Sequence, residues 1–285
     1  MQARTWTGAS APRSATGRCA LVEPLPHHIS ADALHVSFRA DPARIAQFLP
    51  PGLEPLETGE GWAMIAEMAK VSVDAPEQAW EQPSRSTYNE GVVGFYCRFG
   101  ERIGRYTAFV WVDRDWSLGM GSIFGWSKRL AEVDRTRAQA TNPGLRALGP
   151  GCRLGGTVQR QGRSVLRLEV ALADDAKTVP ALPGHAAGTF LYRYIASPSP
   201  DVPDVEQLFD LPFSNVSMSP VWVGRGRLEF GEAPDEELSA LGAVEATAGY
   251  AYQRGWTTDR VARLLHDYQA QGAVAKNPST SRESA

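Results

Sequence analysis

Lysine is scarce in this chain, with four against 25 arginines among 285 residues. A guanidinium stays charged in a folded protein, whereas burial can make an amine neutral and nucleophilic, so the chain holds few candidates for amine chemistry. Cysteine is also sparse. Cys19, Cys97 and Cys152 are odd in number and widely spaced, with no CxxC and no neighbouring histidine. That pattern argues against a disulfide framework or a zinc site, and for a reducing compartment, read here as the cytoplasm. No apolar run reaches 18 residues, so no membrane-spanning helix is expected, and residues 1–26 lack the continuous apolar stretch of a secretory signal. The net charge is only −3 and the basic residues are scattered, which leaves no stripe for nucleic acid or an anionic membrane. A small neutral or anionic molecule fits better as the partner.

Apolar residues are plentiful at 43% of the chain, enough for one large or two ordinary domains. Short alternating runs cut by Gly and Pro predict strands over residues 34–38, 62–73, 91–99, 106–112, 156–158, 165–171, 189–195, 215–218, 222–230 and 243–252. A helix is expected at 41–49, with Asp41 as cap and Pro42 in its first turn, and a second at 116–121. A third is expected at 258–271, with Val261, Leu264, Leu265 and Tyr268 on its apolar face. No repeat and no linker divide the chain. The expectation is one mainly β (α+β) domain over residues 27–272, with a few peripheral helices. It should close into a barrel, because a lone open sheet of this length leaves reactive edges. A flexible N-terminal extension (1–26) and a disordered C-terminal tail (273–285) would flank it.

One lysine stands apart from the others. Lys70, Lys177 and Lys276 lie in polar or mixed contexts, but Lys128 follows an apolar, glycine-punctuated run, GSIFGWSKRLA at 121–131. A buried strand, a short helix and a glycine-bounded turn would present it as a rigid scaffold presents a reactive group. A lysine that ends a helix and sends its head to water fits the same pattern. Tyr88-Asn89-Glu90 puts a carboxylate at the start of a strand, as a proton carrier or as a solvated turn acid. Glu67 interrupts an apolar strand, as a second site carboxylate or as an outward-facing charge. Tyr250 and Tyr252 share one strand face, where either phenol can act as an acid or base, or both can be core aromatics. His27, His28 and His35 lack metal-ligand spacing, Ser127 lies in no GxSxG motif, and Gly224-Arg225-Gly226-Arg227 is too poor in glycine for a dinucleotide loop.

From about residue 27 to 270 the chain resembles the acetoacetate decarboxylase family. The strongest stretch is 113–130, similar to the family's strand ending in an acid, small-residue helix and Gly-x-Pro-Lys-Lys-Leu. Residues 34–41, Tyr88-Asn89-Glu90, TFLYR at 189–193 and VWVGRGRL at 221–228 support it. Acetoacetate decarboxylase is itself a known case of a lysine activated by desolvation or a neighbouring cation. The resemblance implies a Schiff base on Lys128, with Phe124, Trp126 and Val110 as apolar walls and Arg129 as the adjacent fixed charge. It also implies Glu90 and Glu67 as carboxylates, Tyr252 or Tyr250 as acid or base, no cofactor, a carbonyl substrate and a homo-oligomer.

Departures from the pattern bear on the substrate. Ser127 replaces the proline and Arg129 the second lysine, Gly121-Ser122 replaces larger residues, and Phe124 stands where related, non-decarboxylating members carry an amide. Ala31 aligns with the arginine that decarboxylases place near the substrate carboxylate, leaving Arg39 or Arg193 as stand-ins. The expected activity is a cofactor-independent lyase on a keto acid or larger oxo compound of specialised metabolism. Decarboxylation, aldol, dehydration or cyclisation would all run through an enamine. The alternative is a non-covalent, shape-templating cyclase that uses the apolar pocket alone.

Overall fold

The computed structural model describes residues 7–145, 147–173 and 188–269; the expected tail at 273–285 lies outside them. Its strands are β1 (His27–Arg39), β2 (Glu54–Pro55), β3 (Glu60–Ser72), β4 (Thr87–Phe99), β5 (Arg102–Val112), β6 (Lys128–Leu130), β7 (Glu132–Arg135) and β8 (Arg153–Arg160). They continue as β9 (Arg163–Leu172), β10 (Gly188–Ile195), β11 (Val205–Asp210), β12 (Ser214–Met218), β13 (Trp222–Phe230), β14 (Glu245–Thr258) and β15 (Arg263–Asp267). The helices are short: α1 (Pro42–Ile45), α2 (Gln78–Glu81) and α3 (Asp115–Phe124). Asp41 caps α1 by accepting from the Ala43 amide at 2.9 Å, as its sequence position suggests.

The strands form one sheet in the order β15-β11-β10-β5-β4-β3-β1-β14-β13-β9-β8-β7, with β12 added to β14, β2 to β4 and β6 to β5. Its long central ladders are antiparallel; β10 and β6 lie parallel to β5. The sheet is not the closed barrel expected, because its path ends at β15 and β7 among the described residues. One residue separates β6, which hangs on β5, from β7, which hangs on β8, so the chain spans the two flanks without a ladder joining them. The edge is managed by charge, since β7 carries Glu132, Asp134 and Arg135.

Alternation divides each central strand between two cores. On β4, Val93 and Phe95 join Trp111 and Leu168 on one face, while Tyr88 and Val92 join Val110, Met120 and Tyr252 on the other. The second face carries the candidate site.

The C-terminal helix expectation is corrected. The helix expected at 258–271 is replaced by strand over most of the described part of that range: β14 runs through Thr258, β15 takes its backbone hydrogen bonds from β11, and helix begins only at Tyr268 and Gln269. The supposed apolar face is split, with Leu265 and Tyr268 packed against the cluster of Leu208 and Phe190 while Val261 and Leu264 are exposed. The described part of residues 1–26 contributes two side chains to the domain's packing. Val22 is buried in the second core, and the buried Glu23 carboxylate pairs with Lys70 and, at 2.7 Å, with Arg85. Among the described residues no helix is long and apolar enough to cross a membrane.

Candidate active site

Lys128 reaches the second face through a β5–α3–β6 unit. α3 ends where Gly125 adopts φ 99° and its amide bonds to the Gly121 carbonyl at 2.7 Å, the left-handed stop that glycine permits. A Cβ at Gly125 would also come within 2.9 Å of the Tyr192 backbone. The chain then enters β6, which sets Lys128 opposite Val110. Gly121 lets the lysine stem pass, since a Cβ there would meet the Trp126 carbonyl at 2.4 Å and Lys128 Cγ at 2.9 Å. Ser117, one helical turn earlier, offers its hydroxyl on the same side.

The amine meets a carboxylate at the wall of a cavity of about 120 Å³. Lys128 Nζ donates to Glu90 Oε2 at 2.8 Å and to Ser117 Oγ at 3.0 Å, and the Lys128 side chain is only 4% exposed. The Tyr88 and Trp126 rings lie 5.3 and 5.7 Å away. Glu90 is steadied by its neighbour: Asp113 accepts from the Asn89 amide at 2.8 Å and from Asn89 Nδ2 at 3.0 Å. Burial first, and then the charge of Glu90, hold the Tyr88 phenol well above its ordinary range, so it remains a neutral wall. A buried amine touching one proton acceptor and one hydroxyl, and open to a cavity, has the parts for attack on a carbonyl.

The far wall comes from β1, β5 and β14. Tyr252 OH lies 3.2 Å from His35 Nδ1, and His35 Nε2 lies 3.1 Å from Ser37 Oγ. Burial raises the Tyr252 phenol to about 12, so it carries its proton at neutral pH, while burial and then the Arg105 charge keep His35 neutral. Arg105 and Arg254 also border the cavity. Arg105 Nε donates to Thr189 Oγ1 at 3.1 Å, and Arg254 lies over the Trp256 ring at 5.3 Å.

The residues singled out in the sequence divide between sites. Lys128, Glu90, Tyr252, Trp126 and Val110 border the cavity together. Phe124 is buried behind it, 5.3 Å from Trp126 and packed with Leu191 and Leu211. Tyr250 lies edge-on to His35 at 5.4 Å, beside the cavity lining. Arg129 does not neighbour the amine: strand alternation turns it to the other face, where it donates to the buried Glu236 at 2.5 Å. Glu67 pairs with Arg137 at 2.8 Å, on the face opposite its neighbour Met68, which lines the cavity. Neither Arg39 nor Arg193 reaches the lining; Arg193 bonds to the Ser122 carbonyl and Gln207.

Sequence reasoning missed Ser117, Tyr88, His35, Arg105 and Arg254. Ser117 was recoverable from its four-residue spacing to Gly121. Arg105 and Arg254 lie just beyond the bounds expected for their strands, 106–112 and 243–252, which hid their shared face.

No curated protein matches the chain. Among solved structures, an acetoacetate decarboxylase-like enzyme from Sphingomonas wittichii RW1 is 30% identical, with 92% of this chain and 100% of that one covered at a TM-score of 0.83. The enduracididine biosynthesis enzyme MppR, complexed with the condensation product of pyruvate and imidazole 4-carboxaldehyde, is 29% identical over 94% of this chain and 100% of its own, with a TM-score of 0.84. MppR complexed with pyruvate matches at 29% identity, with 93% and 99% coverage and a TM-score of 0.82. Acetoacetate decarboxylase from Legionella pneumophila shares the fold at a TM-score of 0.69 and 14% identity, with 94% of each chain covered. The acetoacetate decarboxylase family model spans residues 10–268, taking in β1 to β15 and the whole lysine-bearing unit. On this match the chain belongs to the acetoacetate decarboxylase family.

Proposed function

We propose that this protein is a cofactor-independent enzyme that forms a Schiff base between Lys128 and a small oxo acid, then joins the resulting enamine to a second carbonyl compound. The observation that carries the reading is the Lys128 amine, almost wholly buried at a cavity wall and bonded to Glu90 and Ser117. The amine gives a proton to Glu90, and its lone pair attacks the substrate carbonyl carbon while the carbonyl π pair moves to oxygen. Protonation of that oxygen releases water and leaves an iminium. Loss of a proton from the adjacent carbon gives the enamine, whose carbon attacks the second carbonyl. Tyr252, protonated and on the far wall, gives its proton to the new alkoxide in this scheme. Loss of a second water gives an unsaturated product, and a third hydrolyses the iminium to free Lys128.

Pyruvate is the favoured first substrate because MppR, alike over nearly its full length, is complexed with pyruvate and with a pyruvate condensation product. A second reading, decarboxylation of a β-keto acid, follows from the family match itself. Both are read in one experiment. The protein is incubated with pyruvate, with or without an aromatic aldehyde, or with acetoacetate, then treated with borohydride and mapped by mass spectrometry. An adduct on Lys128 and an aldehyde-dependent condensation product are expected, whereas carbon dioxide from acetoacetate would favour decarboxylation. Turnover that survives in Lys128→Ala without any adduct would sink both and leave non-covalent templating.

A further inference from the structure

Two arginines border the cavity with no acid among the described residues to balance them. Arg105 and Arg254 both border it, and no carboxylate of the described residues is among the groups that act on either charge. Glu90, the acid in the lining, is taken by Lys128. Arg254 Nε is buried with no hydrogen-bond partner among the described residues. The two guanidiniums meet at one ring, with Arg105 and Arg254 Cζ 5.8 and 5.9 Å from the centre of Phe213. Burial and the charge of Arg105 depress Arg254 to about 10, so it is still a cation at neutral pH. Like charges gathered in a partly dehydrated cavity work against folding, and such an arrangement is stabilising only when an anion joins it.

The ladder gives the position a meaning. Arg254 lies directly opposite Ala31 across the β1–β14 pair. Opposed side chains share a face with their Cβ atoms about 5 Å apart, so the long Arg254 side chain lies beside the small Ala31 on the cavity face. Thr189 holds Arg105 by Nε at the border of the cavity, so the hydrogen bond that fixes the guanidinium does not use its terminal fork.

We infer that Arg105 and Arg254 form a carboxylate-binding subsite that restricts the lysine chemistry to oxo acids and rejects neutral ketones. The inference rests on the Schiff-base reading for the other end of the substrate, and the tests separate the two. Oxamate carries the carboxylate of pyruvate but no ketone that lysine can condense with. It should raise the melting temperature of the native protein and of Lys128→Ala alike, and fail to do so in Arg105→Gln and Arg254→Gln. Borohydride trapping should label Lys128 with pyruvate far faster than with acetone, and that ratio should fall by ~30-fold or more in each arginine variant while acetone labelling persists. Arg254→Lys keeps the charge without the fork and should give an intermediate ratio. Unliganded Arg254→Gln should melt no lower than the native protein, because removing an unbalanced cation leaves no orphan. Equal labelling of the native protein by pyruvate and acetone overturns the subsite. So does an unchanged ratio in the variants, or a lowered melting temperature with no loss of oxamate binding. Oxamate stabilisation with no adduct from any ketone would keep the subsite and remove the Schiff base.

Discussion

Acidification should destabilise this protein before its carboxylates titrate, through two histidines that the fold holds neutral. His27 is 0% exposed and neither ring nitrogen has a hydrogen-bond partner among the described residues; burial first, then the Lys70 charge, push it down to about 4. His35, 3% exposed beside Tyr252, is pushed down to about 3 by burial and then by Arg105. An unfolded histidine titrates near 6.5, so between that value and each folded value the unfolded chain binds the extra proton. Stability is therefore complete above about pH 6.5 and falls as the pH drops toward 4 and 3. Integrating the linkage from pH 8 to pH 5 gives a loss of about 2 kcal/mol per histidine, about 4 kcal/mol together. Against a total stability of roughly 5–15 kcal/mol this is a large fraction. Urea denaturation at pH 8, 6.5 and 5 should show it, the midpoint falling by about 1.3 M for a denaturant slope of about 3 kcal/mol/M. His27→Gln and His35→Gln should each remove about half of the fall. A midpoint that stays level from pH 8 to pH 5, or a double variant as acid-sensitive as the native protein, would refute the reasoning.

Three further perturbations probe the site and its support. Gly121→Ala drives a methyl group into the Trp126 carbonyl, which cannot yield as a side chain can; a cost of about 1–3 kcal/mol in thermal denaturation and a loss of about 10²-fold in the rate of pyruvate trapping on Lys128 are expected. Glu90→Gln keeps the shape but cannot take the amine proton and leaves the buried amine without its counter-charge, so trapping should slow by roughly 10²-fold or more at a stability cost of about 1–3 kcal/mol. Arg129→Ala should spare the chemistry: it removes one partner of the buried Glu236, which Trp111 Nε1 and Arg160 still contact, and should cost about 1–3 kcal/mol of stability while trapping proceeds at the native rate.

Local patterns in the sequence carried the parts of this molecule that depend on near neighbours. Asp41 with Pro42 marks a helix start, glycines around α3 mark a turn, and alternation marks most strands, because caps, left-handed turns and strand faces are set within a few residues. Lys128, Glu90 and Tyr252 were legible as individual residues for the same reason, once the resemblance gave them a common site. What stayed hidden was pairing. His35 meets Tyr252 across 217 residues, and Arg254 faces Ala31 only because β14 aligns with β1 in that register. A shift of one residue would turn Arg254 to the opposite face and Gln253 or Gly255 toward the cavity. The same parity decides the residues that were misplaced: Lys128 faces the cavity and so Arg129 cannot, Met68 faces it and so Glu67 cannot. Adjacency in sequence counts against two strand residues sharing a pocket, so an apparent cation beside the lysine is the one place on that strand from which it cannot act on the amine. The cations that do share the amine's cavity come from β5 and β14, where spacing along the chain carries no sign of them.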